Sequence, residues 1–206
     1  MGVNNFNILH DEKITDLNNL ATHYLEAYEK QYQLSDPIQL FGWSLGGQIA
    51  IEMAAILENR GFRSIHVVLL DTLIPDETIR SLYTSEFFSK MKRNMAKILK
   101  DQTDDQDYIN RILTAMNAER EIGNAAISQY LNHTRVTLFR AVQKDHRLDF
   151  DESDHLFTYC SELPSNNLDL VCEHLDVVNC DCHHGNILES EKGRVVDFLV
   201  RETSIV

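Results

Sequence analysis

The 206-residue chain has no apolar run approaching the ~20 residues that a membrane-spanning helix needs. Its first residues, Met1 to Ile14, have neither the basic nor the apolar region of a signal peptide. Phe6 stands where a myristoylation motif wants Ser or Thr. Positive charge is scarce: 19 Lys and Arg face 32 Asp and Glu, for a net charge of −13. That balance speaks against nucleic acid as a partner, because binding phosphates needs a basic face. There are four cysteines, Cys160, Cys172, Cys180 and Cys182, all in the last quarter of the chain. That is no disulfide framework, and the reading is reduced thiols in a cytoplasmic protein. Cys180, Cys182, His183 and His184 are too cramped to form one tetrahedral zinc site, so no metal is expected. Internal repeats and low-complexity tracts are also missing. The expectation is one globular domain spanning residues 1–206.

Thr15 to about Gln33 carries Leu17, Leu20, Tyr24, Ala27 and Tyr28 at helical spacing, with Thr15 or Asp16 as cap. Ser35-Asp36-Pro37 breaks that helix. Ile38 to Phe41 reads as a short buried strand, Leu45 to about Asn59 as a helix ended by Gly61, and Ser64 to Leu70 as a second strand. Strand, helix, strand within some thirty residues predicts a βαβ unit and a parallel sheet, hence an α/β fold. From about Pro75 to Asn132 the pattern is helical throughout. Phe88, Met91, Met95, Ile98 and Leu99 form one stripe, and Ile109, Ile112, Leu113 and Met116 a second. Ala126, Ile127, Tyr130 and Leu131 form a third. Strands are expected again at Arg135–Ala141 and Leu175–Val178, and a last helix at about Lys192–Glu202.

Gly42-Trp43-Ser44-Leu45-Gly46 is G-x-S-x-G between a strand and a helix, the setting of a nucleophile elbow. A sharp turn lifts the serine hydroxyl clear of the sheet and wants small neighbours at Gly42 and Gly46, while Gly47 adds close helix–sheet contact. The helix N-terminus faces developing negative charge, and the Leu45 N–H supplies half of an oxyanion hole. The plainer alternative is a strand-to-helix turn with Ser44 as N-cap. A serine nucleophile needs a base held by an acid, in the chain order Ser, acid, His. Asp71, ending the second strand, and Asp145, after the next, are the candidate acids. The segment Asn179–Asn186 is expected to be the late loop carrying the base, either His183 or His184.

LFGWSLGGQIAIEMA, VVLLDT and His184-Gly185-Asn186-Ile187-Leu188 together make the chain resemble the thioesterase domains of nonribosomal peptide synthetases and polyketide synthases. These are α/β-hydrolases of secondary-metabolite biosynthesis. The resemblance covers nearly the whole chain. It implies a Ser44–Asp71–His184 triad, selecting Asp71 over Asp145 and His184 over His183. It makes 75–132 a helical substrate lid, with no bound cofactor. The implied substrate is an acyl or peptidyl chain on the phosphopantetheine of a carrier protein, released by hydrolysis or macrocyclisation. The basic cluster Lys90, Lys92, Arg93, Lys97 and Lys100 is a candidate docking face for that carrier, although a solvated face of an amphipathic helix is the preferred reading. The family's domains begin with two further strands, whose loop gives the second oxyanion donor. The chain starts just after them, so it reads as an N-terminally truncated fragment of a longer enzyme. Otherwise another segment supplies the donor, or the hole is incomplete. An open sheet edge is consistent with a homodimer that covers it or with poor solubility. Two other readings remain: a stand-alone carboxylesterase or lipase-like hydrolase, and a non-catalytic binding module.

Overall fold

The computed structural model describes residues 2, 4–145 and 151–203. A short helix α1 (Phe6–Leu9) precedes α2 (Leu17–Glu29), which starts where the Asp16 carboxylate accepts the Asn19 N–H at 2.8 Å. Strand β1 (Ile38–Trp43) leads through the Ser44 turn into α3 (Leu45–Asn59), and Gly61 at φ 98 closes that helix. Strand β2 (Ile65–Leu70) completes the βαβ unit. Three helices follow: α4 (Glu77–Leu82), α5 (Ser85–Gln102) and α6 (Gln106–Gly123). The chain then returns as β3 (Leu131–Gln143), α7 (Asp151–Ser161), β4 (Cys172–His183), α8 (Ile187–Ser190) and α9 (Lys192–Thr203).

Among the described residues, four strands form one parallel sheet in the order β1-β2-β3-β4. Parallel sheets bury both faces, and the alternation of side chains sorts them here. Ile38, Val67, Leu69, Val136 and Leu138 pack under α3 with Ile51, Ala54 and Leu57. Val68, Leu70, Phe139, Cys180 and Cys182 face the other way, against Ile187 and the α9 residue Val195. β1 is an edge, and its side chains Phe41 and Trp43 are exposed.

Two expectations are corrected, and one element is new. Ala126, Ile127, Tyr130 and Leu131 are not a third lid helix. Asn124 caps α6, and Leu131, fully buried, opens β3. Sheet burial there outweighs a four-residue helical coincidence. The late segment Asn179–Asn186 is not all loop: β4 runs to His183, because Cys180 and Cys182 alternate into the apolar layer. Only His184–Asn186 leaves the strand, as a single 3₁₀ turn. Helix α7, in a stretch with no earlier assignment, is a further element.

Candidate active site

The C-terminal ends of parallel strands are where an α/β sheet presents its loops. β1, β2 and β4 deliver Ser44, Asp71 and His184 there, and all three line one cavity of about 1700 Å³. Ser44 sits at φ 54, ψ −123, a backbone conformation that is strained for a residue with a side chain. Its own N–H donates to the Leu70 carbonyl at 2.9 Å, and its carbonyl accepts from Gly47 N at 3.0 Å and the Thr72 hydroxyl at 3.2 Å. The turn is therefore tied to the end of β2. Ser44 holds the cap position of α3 but makes no side-chain capping hydrogen bond, which removes the plainer account of why it is a serine.

The glycines divide differently from the expectation. A Cβ on Gly42 would lie 2.4 Å from the Gly46 carbonyl oxygen, and one on Gly47 would lie 1.8 Å from Thr72 Oγ1. Close passage of helix over strand needs those two. At Gly46 a Cβ would meet nothing within 4 Å. Crowding therefore does not require that glycine, which borders the cavity instead.

Asp71 also adopts a left-handed backbone, φ 42, which turns its carboxylate out of β2. Oδ1 accepts from Ala141 N at 3.1 Å and Asn166 Nδ2 at 3.3 Å, and Oδ2 faces His184 Nδ1 at 2.8 Å. The other two candidates meet each other: His183 Nδ1 lies 3.4 Å from Asp145 Oδ2. Trp43 stacks on the His184 ring, with centroids 5.5 Å apart and planes at 29°. Cys160 borders the same cavity, but burial, with the Asp71 and Asp76 charges adding to it, pushes its thiol up to about 11. A thiol so held is a poor nucleophile at neutral pH.

The cavity wall opposite the sheet comes from α5 and α6. All four internal methionines border the cavity, Met91 and Met95 from α5, Met116 from α6 and Met53 from α3, with Phe87, Phe88 and Ile98 of α5. Arg120 lies 4.7 Å from the Phe88 ring centroid and borders the cavity near the serine turn, where Gly123 approaches Leu45.

A model of the thioesterase domain matches residues 4–203. The chain belongs to the thioesterase domain family. A 60-residue stretch is 43% identical to thioesterase pytI of Aspergillus terreus, covering 29% of this chain and 19% of that protein. A 75-residue stretch is 36% identical to nonribosomal peptide synthetase imqB of Aspergillus flavus, covering 34% of this chain and 2% of that one. The matched segments thus span less than a fifth of those two relatives. Among solved structures, the Vlm2 thioesterase domain bound with a dodecadepsipeptide superposes with a TM-score of 0.64 at 16% identity, covering 95% of this chain and 81% of that one. SrfTE, the thioesterase domain that cyclises surfactin, gives 0.61 at 16%, covering 90% and 76%. These likenesses carry the α/β-hydrolase fold.

Sequence reasoning about this thioesterase domain missed Asn166, which donates to Asp71, and the buried Arg140 behind it. The only local signal was the Asn166-Asn167 pair after Pro164-Ser165, a turn-forming composition.

Proposed function

We propose that this domain releases an acyl or peptidyl chain from the phosphopantetheine arm of a carrier protein, through an acyl-Ser44 intermediate. The observation that carries the reading is the 2.8 Å contact between Asp71 and His184 at the end of the sheet where Ser44 is held at φ 54. In the proposed reaction His184 takes the Ser44 hydroxyl proton while Oγ attacks the thioester carbonyl. Asp71 holds the ring by Nδ1 and stabilises the imidazolium. The oxyanion rests on the Leu45 N–H at the start of α3, where the helix dipole adds to the stabilisation. Collapse breaks the C–S bond, and the pantetheine thiol leaves with the proton from His184. Water then delivers an acid, or an internal amine or hydroxyl delivers a ring.

The cavity supports a large apolar chain. Its volume exceeds the roughly 300–1,000 Å³ of an ordinary small-molecule pocket, and methionines adapt to irregular apolar shapes. The carrier is the proposed partner, in the cytoplasm, with the exposed Arg93, Lys97 and Lys100 of α5 as its docking face.

The test compares an acyl-pantetheine thioester with the matched oxygen ester, using the protein and Ser44→Ala. Turnover of the thioester that is faster than that of the ester and lost in Ser44→Ala is the expected result. Preference for the ester would make this a carboxylesterase. Turnover of neither would make it a binding module.

A further inference from the structure

Arg140 is 8% exposed, near the end of β3, and its hydrogen bonds go to neutral oxygens. Nη2 donates to the carbonyls of Cys160 and Ser161 at 3.2 and 3.1 Å, Nη1 to Asn179 Oδ1 at 3.5 Å, and Nε to Asn166 Oδ1 at 3.0 Å. Asn166 Nδ2 then donates to Asp71 Oδ1 at 3.3 Å and to the Thr72 carbonyl at 3.1 Å. The orientation of this amide is settled by its neighbours. A guanidinium only donates and a carboxylate only accepts, so oxygen must face Arg140 and nitrogen Asp71. Asn166 is itself left-handed at φ 51, a conformation that Asn tolerates better than most residues with side chains.

We propose that Arg140 and Asn166 are positioning residues that aim the Asp71 carboxylate at His184. The proposal rests on the reading of Asp71 and His184 as acid and base for Ser44. Two donors on Oδ1, Ala141 N and the Asn166 amide, stop the carboxylate from rotating and leave Oδ2 to the imidazole. The buried guanidinium polarises the amide, which strengthens its N–H bond to the carboxylate. A full positive charge in direct contact would compete with the imidazolium for Asp71. Relayed through a neutral amide, it supports the carboxylate without taking His184's place.

A purely structural strap is the competing account, because the Asn166 carbonyl also accepts from Ile74 N at 3.0 Å. Asn166→Gly with two readouts separates them. Glycine keeps the left-handed backbone and that bond, and deletes the amide with its links to Asp71, Thr72 and Arg140. The melting temperature then reads the strap, and kcat at unchanged KM reads the aim of Asp71. Steady-state kinetics on an acyl-pantetheine thioester and thermal melts are measured for Asn166→Gly, Arg140→Met and the double variant. The expected result is a kcat lowered about 10-fold in Asn166→Gly, the scale of one lost hydrogen bond to a charged group, with KM unchanged. Arg140→Met is expected to lower kcat too. In the Asn166→Gly background it should cost no further kcat, although the melting temperature falls again. Wild-type kcat in Asn166→Gly, or kcat losses that multiply in the double variant, would overturn the relay. If Arg140→Met does not fold, the kcat and KM of Asn166→Gly decide alone. Turnover that survives Ser44→Ala would overturn the underlying reading instead. Loss in Ser44→Ala and Asp71→Asn beside an unaffected Asn166→Gly would overturn only the relay.

Discussion

Helices α3 and α5 both border the cavity, and they are attached to the protein in opposite ways. α3, 15 residues long, buries residues all round its surface, from Gly47 and Ala50 through Glu52 to Leu57 and Glu58. α5, with 18 residues, buries only Phe87 and Leu99. α3 lies between α2 and three strands, so it needs small residues wherever a neighbour passes close. α5 turns Met91, Met95 and Ile98 toward the cavity and leaves Arg93, Lys97 and Lys100 exposed. The first helix is locked in place on every side. The second borders the cavity that the proposed acyl chain would fill. Stability and chemistry should therefore respond to changes around α3, and selectivity to changes on α5.

The largest effect is expected at the acid beside α3. Asp71→Asn should lower kcat by about 10⁴-fold, the scale on which a triad depends on its carboxylate. Thiol release from an acyl-pantetheine checks it, and a loss comparable to that of an α5 variant would erase the contrast. Next comes the packing of α3 itself. Gly47→Ala should cost about 1–3 kcal/mol, read as a lower melting temperature, because its Cβ would meet Thr72 Oγ1 at 1.8 Å. Thr72→Ala should restore part of that loss. Gly46→Ala, with nothing within 4 Å, should melt like the wild type.

Glu58 sharpens the comparison by pH. Its carboxylate at the end of α3 accepts the N–H groups of Asn132, His133 and Thr134 and the Thr134 hydroxyl, at 2.7 to 3.2 Å. Burial works to raise its pKa, but the Thr134 hydroxyl and the three backbone donors outweigh burial and hold it below the usual 4.5. A depressed carboxylate contributes stability that is complete above its unfolded pKa and is lost as pH falls through the folded one. Glu58→Gln should therefore lower the melting temperature at neutral pH by the equivalent of about 1–3 kcal/mol, and the difference should shrink as pH falls below 4.5. A difference that does not shrink would assign the loss to something other than the charge. The smallest effect is expected on α5. Met95→Ala should leave the melting temperature nearly unchanged and shift kcat/KM between long and short acyl chains by about 10-fold.

The same contrast governs what could be read from the sequence. The β1–α3–β2 unit announces itself over a few residues: an apolar run, a Gly-Trp-Ser-Leu-Gly-Gly turn, a helical pattern and Gly61. The helix bounds Leu45–Asn59 are as expected. The first two helical stripes fall on α5 and α6 for the same reason. Asn166 could not be read this way. It meets Asp71 across 95 residues of sequence, and its value lies in a left-handed turn that no periodicity encodes. Nor could local pattern alone divide two aspartates and two histidines into the pairs that form, because each pairing depends on how β3 and β4 end beside β2. The stacking of Trp43 on His184 joins the end of β1 to the turn after β4 and is equally non-local.

The central claim is that Ser44 is an activated nucleophile. Mixing the protein with a fluorophosphonate and recording intact mass, beside Ser44→Ala and His184→Ala, tests it most directly. The account predicts a single adduct on the wild type and none on either variant. An unlabelled wild type, or an adduct that persists in Ser44→Ala, would contradict it.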